Sequence, residues 1–480
     1  MKTTLLGISV GMTVLLLGGT NARAADPLAA RYSHDASAIF WLMHISDTHI
    51  GASAAEGPNA TPHFEFALGE AYTAIYPAVV IVTGDLCDAS NGVIPAFGQF
   101  DAEWMEYRSV IDTAGMSTDL FIDIPGNHDA YGENSAGSLI HYLTWSLNGS
   151  TFASTTRSMV LDFPFGRYLL YGTSSPNDGS PPFVEHPEFS LPEIADMDAV
   201  LTANATATLA LTFGHHPVGG HDNSDLVIDL LQQHQAFWFH GHRHDYGSYA
   251  EHFLYNAEVD TLGKGNVDNI AIIAVDNDAL SYAATDVDDP WPFVVVTTPA
   301  DRRLDSGDDN PYAYDVCNTA TDNPVRALVF DANPVSNVTF SVAGGTEVPM
   351  IQDGVEPRLW HGVWDTTGLA VGETTLTVTA VGNSTRSREV NVMLADVTCP
   401  TVGPQPDAGV ADAGPPDAAG PDAGADATAS EDASAPAPDA GDPPGANKAG
   451  CGCRSAPSPA GLLPLLVLLV LGLLRRRPRG

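Results

Sequence analysis

The chain has 480 residues, more than one hydrophobic core usually supports, so we expect two folded domains and linkers. Its 59 acidic and 20 basic residues give a formal net charge of -39. This charge argues strongly against a surface that binds nucleic acid through its phosphates. An anionic substrate would therefore need bound cations to supply a local positive field.

The amino terminus has the layout of a secretory signal peptide. Lys2 precedes an apolar run at residues 5–17, and a small-x-small cleavage pattern follows at residues 22–24. The run is short for a membrane span. We predict a signal peptide at residues 1–24 and export of the protein, with a buried amino-terminal helix as the alternative.

Strands and helices are predicted to alternate between residues 36 and 290. The apolar runs that are typical of strands buried on both faces are residues 40–45, 78–83, 120–124, 209–213 and 236–239. Helical spacing occurs at residues 64–75, 100–113, 191–203 and 225–233. Each apolar run ends in polar residues, and ligands bind beyond the carboxyl ends of strands in open α/β sheets. The pattern therefore predicts one composite site.

A different pattern begins near residue 291. Short alternating runs, such as residues 338–342 and 374–381, are separated by Gly, Asn and Pro turns. We predict a small all-β, immunoglobulin-like sandwich at residues 291–400. Cys317 and Cys399 flank this stretch and are expected to form a disulfide in an oxidising compartment. Cys87 is expected to be a buried free thiol.

The carboxyl-terminal part of the chain has no composition that could form a core. Residues 403–449 are rich in Pro, Asp, Ala and Gly, which predicts a disordered, extended linker. Residues 450–480 contain two cysteines, a short apolar segment and an Arg-rich end. This order resembles the sorting tag of myxobacterial surface proteins, which implies attachment to the cell surface or outer membrane. A plain tail anchor is the alternative.

Five polar segments follow the predicted strands, at residues 44–49, 83–85, 125–129, 214–217 and 240–244. They offer carboxylate, imidazole and amide ligands in a mixture that suits two metal ions such as manganese, zinc or iron. Each segment alone occurs by chance in many proteins. The five together, in order and each after a buried strand, predict a two-metal site.

The motifs Asp-x-His, Gly-Asp, Gly-Asn-His-Asp, a later His and Gly-His-x-His resemble those of calcineurin-like metallophosphoesterases over residues 36–290. The resemblance implies a four-layer αββα sandwich and hydrolysis of phosphate mono- or diesters by a metal-bridging hydroxide. The implied ligands are Asp47, His49 and His244 for one ion, Asn127, His215 and His242 for the other, and Asp85 as the bridge. His128 is implied to be catalytic and to act on the substrate from outside the coordination sphere.

Residues 41–50, 82–89, 103–104, 291–299 and 364–369 also resemble the transmembrane protein 62 group. This second resemblance extends into the predicted sandwich. The later membrane helices of that group have no counterpart here, so the resemblance implies only its soluble part.

Two carboxylates are expected to support the site from outside the coordination sphere. We predict that His128 protonates the leaving oxygen and that Asp129 or another carboxylate orients it. Asp88 either hydrogen-bonds a ligand histidine or caps a helix.

Other histidines and one arginine near the motifs have simpler interpretations. His216 is predicted to line the site without ligating metal, and His44 and His240 to be hydrogen-bonded core residues. Arg243 either contacts substrate phosphate or points outward. The alternative to an enzyme is a catalytically silent surface module that keeps its metal site for stability.

Overall fold

The computed structural model describes residues 38–94, 97–133, 138–175, 188–265 and 267–396. The predicted signal peptide, linker and sorting tag lie outside these residues, and so does Cys399. Within the described residues, no helix combines the length and apolar character needed to cross a membrane.

Helices and strands alternate through the first part of the chain, and strands alone follow. The helices are α1 (Ala60–Phe66), a π-helical turn (Ala67–Ala71), α2 (Tyr72–Ile75), α3 (Asp101–Ala114), a 3-10 turn (His128–Ala130), α4 (Ile140–Trp145), α5 (Leu147–Phe152), α6 (Leu191–Ala203) and α7 (Ser224–Gln233). The first strands are β1 (Ile39–Ile45), β2 (Val80–Val82), β3 (Phe121–Asp123), β4 (Arg157–Phe163), β5 (Gly166–Gly172), β6 (Leu209–Phe213), β7 (Phe237–His240), β8 (Gly247–Glu251), β9 (Leu254–Glu258), β10 (Asn269–Asp276) and β11 (Ala279–Asp286). The later strands are β12 (Phe293–Thr298), β13 (Val316–Cys317), β14 (Asn323–Phe330), β15 (Asn337–Val342), β16 (Val348–Pro349), β17 (Ile351–Gln352), β18 (Leu359–Trp364), β19 (Gly372–Val381) and β20 (Thr385–Ala395).

Two sheets form the interior of the first domain. One has the order β11-β10-β1-β2-β3 and the other β4-β5-β6-β7-β9-β8. The strands that precede the polar segments are parallel neighbours in both sheets. Side chains from the two sheets, including Phe40, Tyr168 and Phe239, share one buried cluster. The rings of Phe40 and Tyr168 lie 4.5 Å apart between centroids, so the sheets pack face to face.

Helices cover the outer face of each sheet. On the first sheet, Phe64 of α1 stacks on Tyr107 of α3, and the Tyr142 hydroxyl of α4 donates to the Asp123 carbonyl of β3. On the second sheet, Met197 of α6 packs in a separate cluster with Leu169, Trp238 and Val227, the last of these from α7. These four layers confirm the predicted α/β fold of αββα type.

The region from β12 onward is built from strands in two sheets, β12-β14-β18-β17 and β13-β20-β19-β15-β16. Their facing side chains form a core of their own, including Val329, Trp360 and Val378. A β-sandwich is therefore confirmed, while its exact limits and its immunoglobulin-like character stay predictions. Cys317 in β13 is disulfide-bonded, and its predicted partner lies outside the described residues. Cys87 is free and buried, as expected.

The sandwich packs directly on the first domain. Leu328, Phe330 and Leu359 belong to the same buried cluster as β1, and the Phe330 ring lies 5.8 Å from that of Trp41. The guanidinium of Arg326 in β14 lies 2.8 Å from the carboxylate of Asp276 in β10. Both side chains of this ion pair are buried, so the sandwich supplies the countercharge of a carboxylate in the first domain.

Cutting the chain after Asp289 should therefore destabilise the first domain. The cut exposes the apolar surface around Trp41 to water and removes the ion-pair partner of Asp276. We expect a lower melting temperature and lower solubility than for residues 25–400, measured by thermal unfolding. If both proteins melt at the same temperature, the two domains are independent in stability.

Candidate metal centre

The seven predicted ligands converge at one end of the two sheets. They follow the ends of five strands, Asp47 and His49 after β1, Asp85 after β2, Asn127 after β3, His215 after β6, and His242 and His244 after β7. Because these strands end at facing edges of the two packed sheets, their loops meet in one place. Distances between the ligand atoms define two groups and a carboxylate that lies between them.

The backbone is strained at most of these positions. Asp47, His49, Asp85, His242 and His244 have positive φ values of 53°, 43°, 51°, 78° and 52°. Residues with a side chain rarely adopt this left-handed conformation, and such strain is found mainly at functional sites. Other described residues, such as Tyr76 and Ala343, have positive φ values as well, so the strain supports a functional site here only together with the motifs.

Two glycines permit the close approach of these loops. A Cβ atom on Gly84, whose φ is +98°, would lie 2.6 Å from His215 Nδ1. A Cβ atom on Gly126 would lie 2.3 Å from Asp85 Oδ1. Any side chain at either position would push a predicted ligand out of place.

The first group contains Asp47, His49 and His244. His244 Nε2 lies 3.1 Å from Asp47 Oδ1 and 3.1 Å from His49 Nε2. His49 Nε2 lies 3.7 Å from Asp47 Oδ1. Two imidazole nitrogens and one carboxylate oxygen therefore face the same small volume, as three ligands of one ion would.

The second group contains Asn127, His215 and His242. Asn127 Oδ1 lies 2.8 Å from His215 Nε2 and 3.1 Å from His242 Nδ1. The other ring nitrogen of His215, Nδ1, lies 2.7 Å from the Thr83 carbonyl oxygen. Because that carbonyl can only accept, Nδ1 carries the proton and Nε2 presents a lone pair to the site.

Asp85 lies between the two groups. Its Oδ1 is 3.3 Å from His215 Nε2, and its Oδ2 is 3.8 Å from His49 Nε2. The backbone N–H of His128 donates to Oδ1 over 2.8 Å, which fixes the carboxylate. One carboxylate therefore reaches both groups, as the predicted bridge requires.

The charges in this cluster fit bound cations. Burial alone would raise the pKa of Asp47, but His244 and His49 hold it well below its usual value. Burial alone would lower the pKa of His215, but the Asp85 carboxylate raises it to about 10, so without metal the ring is protonated, and a bound ion would replace the proton on Nε2. The carboxylates thus stay ionised in a buried place and attract positive charge. Oxygen and imidazole donors in this mixture suit manganese, zinc or iron.

His128 lies at the edge of the cluster, next to the bridging carboxylate. Its Nδ1 is 2.8 Å from the Asp88 carbonyl oxygen, and its Nε2 is 3.9 Å from Asp85 Oδ2. Nδ1 therefore carries a proton, and Nε2 is directed to the site. Burial lowers the pKa of His128 to about 4.

Asp129 does not orient the His128 ring, contrary to one of our interpretations. Its carboxylate accepts backbone N–H groups of Leu86 and Cys87, each over 3.1 Å, and of Gly126 over 2.8 Å. These contacts join the loop of Asp85 to the loop of Asn127. The ring of His128 is oriented instead by the Asp88 carbonyl, which no side-chain pattern could reveal.

Asp88 contacts a predicted ligand and does not cap a helix, since α3 begins only at Asp101. Its Oδ1 lies 3.1 Å from His49 Nδ1 and 2.8 Å from Lys264 Nζ. Lys264 was missed by the sequence analysis because it lies outside the five polar segments. Its position in a Gly-Lys-Gly stretch carries no pattern of its own.

Three further histidines lie near the predicted ligands, and the prediction that His216 does not ligate metal stays a prediction. His216 is buried, and its Nδ1 lies 2.7 Å from Ser175 Oγ. Its ring centroid is 4.3 Å from that of His242, so His216 forms part of the wall of the site. His44 lies between the hydroxyls of Tyr282 and Thr83, and His240 lies 2.7 Å from the Tyr249 hydroxyl.

Arg243 has the outward orientation of its two predicted alternatives. Its Nε donates to Glu258 Oε2 over 2.7 Å, and its guanidinium lies over the Tyr249 ring. The side chain is half exposed. Arg243 is therefore bound to a carboxylate of β9 and is not directed at the cluster.

Residues 40–246 match the family described as calcineurin-like phosphoesterase. This part of the chain is accordingly a calcineurin-like phosphoesterase domain, a class of hydrolases that act on phosphate ester bonds. The sequence is 24% identical to mouse (Mus musculus) transmembrane protein 62 over 342 residues, which are 68% of this chain and 52% of that protein. It is also 24% identical over 272 residues to an Arabidopsis thaliana protein named "Putative metallophosphoesterase", covering 51% of this chain and 36% of that protein. The chain thus spans about half or less of the length of these relatives.

Two solved structures each align with about half of the chain. An archaeal phosphodiesterase aligns with 9% identity and a TM-score of 0.23, covering 51% of this chain and 99% of that chain. A Streptococcus pneumoniae protein described as a predicted phosphoesterase aligns with 10% identity and a TM-score of 0.24, covering 52% and 91%.

Proposed function

We propose that the protein is an exported, metal-dependent phosphoesterase that hydrolyses phosphate mono- or diesters. The observation that carries this proposal is the position of Asp85, whose two carboxylate oxygens face the two groups of ligands. Asp47, His49 and His244 would hold one ion, and Asn127, His215 and His242 the other. When bound, two such ions supply Lewis-acid activation of water and of the phosphate ester.

The protein's own contribution to the reaction would come mainly from His128. A leaving alkoxide needs a proton, and the Nε2 atom of His128 faces the site while Nδ1 is held by the Asp88 carbonyl. Burial disfavours the charged ring in the absence of substrate. The negative charge of a phosphate ester beside His128 would favour protonation, so the proton becomes available when the substrate binds.

Export and surface attachment are part of the proposal and depend on sequence patterns alone. Residues 1–24 would direct the chain across the membrane, and residues 450–480 would attach it there. The acidic, proline-rich linker at residues 403–449 would repel itself and hold the enzyme away from the surface.

The proposal is tested by a substrate screen of purified residues 25–400. Phosphate mono- and diesters with leaving groups of graded pKa are supplied with manganese, zinc or iron separately. We expect hydrolysis that depends on added metal and is lost after treatment with a chelator. If the protein binds metal and hydrolyses none of the esters, the domain is the silent surface module instead.

A further inference from the structure

We infer that Lys264 is a positioning residue that fixes Asp88 between His49 and His128. Through Asp88, it holds the His128 ring where it can protonate the leaving group. The inference rests on the proposed phosphoesterase function. It adds a residue from outside the five polar segments to the machinery of the site.

Lys264 is bound to a carboxylate, that of Asp88, which lies between a predicted metal ligand and the predicted proton donor. Lys264 Nζ lies 2.8 Å from Asp88 Oδ1. The same oxygen lies 3.1 Å from His49 Nδ1 and 3.7 Å from His128 Nδ1. The backbone carbonyl of Asp88, in turn, binds His128 Nδ1. A shift of Asp88 would therefore move both rings.

The buried Asp88 carboxylate is paired with the positive charge of Lys264. The side chain of Asp88 is fully buried, and only 19% of the Lys264 side chain is exposed. A buried carboxylate without a charged partner is costly and tends to take up a proton or move toward water. The ammonium group therefore holds the Asp88 carboxylate in place beside the His49 ring.

The backbone around Lys264 is hydrogen-bonded to the loop of Asp47. The lysine therefore starts from a fixed position, unlike a mobile lysine on the surface. The Lys264 N–H donates to Thr261 Oγ1 over 2.9 Å, and this hydroxyl donates to the Asp47 carbonyl over 2.9 Å. The Gly263 N–H donates to the same carbonyl over 3.1 Å. Gly263 is packed so closely that a Cβ atom there would lie 2.0 Å from the Thr48 carbonyl oxygen.

The composition of the chain sets Lys264 apart as well. The sequence has three lysines, and the other two are Lys2 in the predicted signal peptide and Lys448 in the predicted linker. Positive charge in the described residues is otherwise supplied by arginine and histidine. A lysine at this position gives a compact ammonium group that can approach a single carboxylate oxygen, which the planar fork of arginine does less well.

The test compares Lys264→Met and Lys264→Arg with the parent in the full chain. With manganese bound, we expect Lys264→Met to reduce kcat by about 10-fold or more for esters with poor leaving groups, the usual scale for a residue that orients a ligand. The reduction for good leaving groups should be clearly smaller, because these need little proton donation. Lys264→Arg should restore part of the loss. Arg108→Met removes a cation from an ion pair with Asp112 on α3 and is the matched control, with unchanged kinetics.

A purely structural role would lower kcat equally for all leaving groups, or would lower the melting temperature and metal content together, and either result overturns the inference. Nitrogen NMR of the metal-loaded protein adds a readout that needs no turnover. Lys264→Met should shift the signals of the His49 and His128 rings, whereas unchanged signals contradict positioning through Asp88. If the parent hydrolyses no ester but these signals shift, the proposed function fails while the positioning role stands.

Discussion

Replacing Asp85 by alanine should remove both metal ions and all phosphoesterase activity. The Asp85 carboxylate is proposed to contact both ions, because its Oδ1 lies 3.3 Å from His215 Nε2 and its Oδ2 lies 3.8 Å from His49 Nε2. Without it, each ion would lose a negatively charged ligand. The repulsion between the two cations would also no longer be offset by the negative charge of Asp85. Metal content after desalting and ester hydrolysis should therefore fall together, with activity decreasing by about 1000-fold or more.

Two further variants distinguish the loss of the bridging carboxylate from a general loss of stability. Asp85→Asn keeps the size of the side chain and one oxygen, so it should fold normally yet bind metal weakly. Asp162→Ala removes an exposed carboxylate of β4 and should leave metal content and activity unchanged. Full metal occupancy in Asp85→Ala would show that the ions are held elsewhere, and our ligand assignment would then be wrong.

Much of the site could be predicted because the signal is local in the sequence. A buried strand that ends in Gly-Asp or Asp-x-His predicts both the strand and the metal ligand from fewer than ten residues. The strand β2 and Asp85, which follows it, are an example. The parallel arrangement of such strands brings their ends together without further information. The role of Gly84 can be predicted in the same way, since it directly precedes Asp85 and permits the sharp turn of that loop.

The supporting contacts could not be predicted because they join distant parts of the chain. Asp88 and Lys264 are separated by 176 residues, and the lysine lies in a loop that no motif marks. The role of Asp129 depends on which backbone N–H groups the folded loops expose. The orientation of the Arg243 side chain depends on its hydrogen bond to Glu258, which lies on a different strand. Each of these contacts depends on the tertiary arrangement and leaves no trace in residue spacing.

The contact between the domains illustrates the same limit. The strand β14 is apolar at most positions, and its sequence does not say what each of its two faces contacts. In the structure, Val329 packs inside the sandwich, while Leu328 and Phe330 pack on the first domain. A strand with both faces buried is thus the link between the metal-site domain and the sandwich.

Replacing His128 by alanine should separate catalysis from metal binding. The ring of His128 lies outside both groups of predicted ligands, so the variant should keep about two metal ions per chain. Turnover should nevertheless fall by roughly 100-fold or more, the usual effect of losing a proton-transfer group. Metal analysis and kcat measured on the same preparation provide the comparison, with the Arg108→Met variant as the control for surface changes.

The size of this defect should depend on the leaving group. An alcohol of low pKa departs readily as an anion and needs little help, whereas an alcohol of high pKa needs the proton that His128 Nε2 would provide. A plot of log kcat against leaving-group pKa should therefore be steeper for His128→Ala than for the parent. Equal slopes would mean that His128 binds the phosphate and does not donate a proton. Loss of metal from His128→Ala would make it a ligand, and the bridging geometry around Asp85 would then need a different assignment.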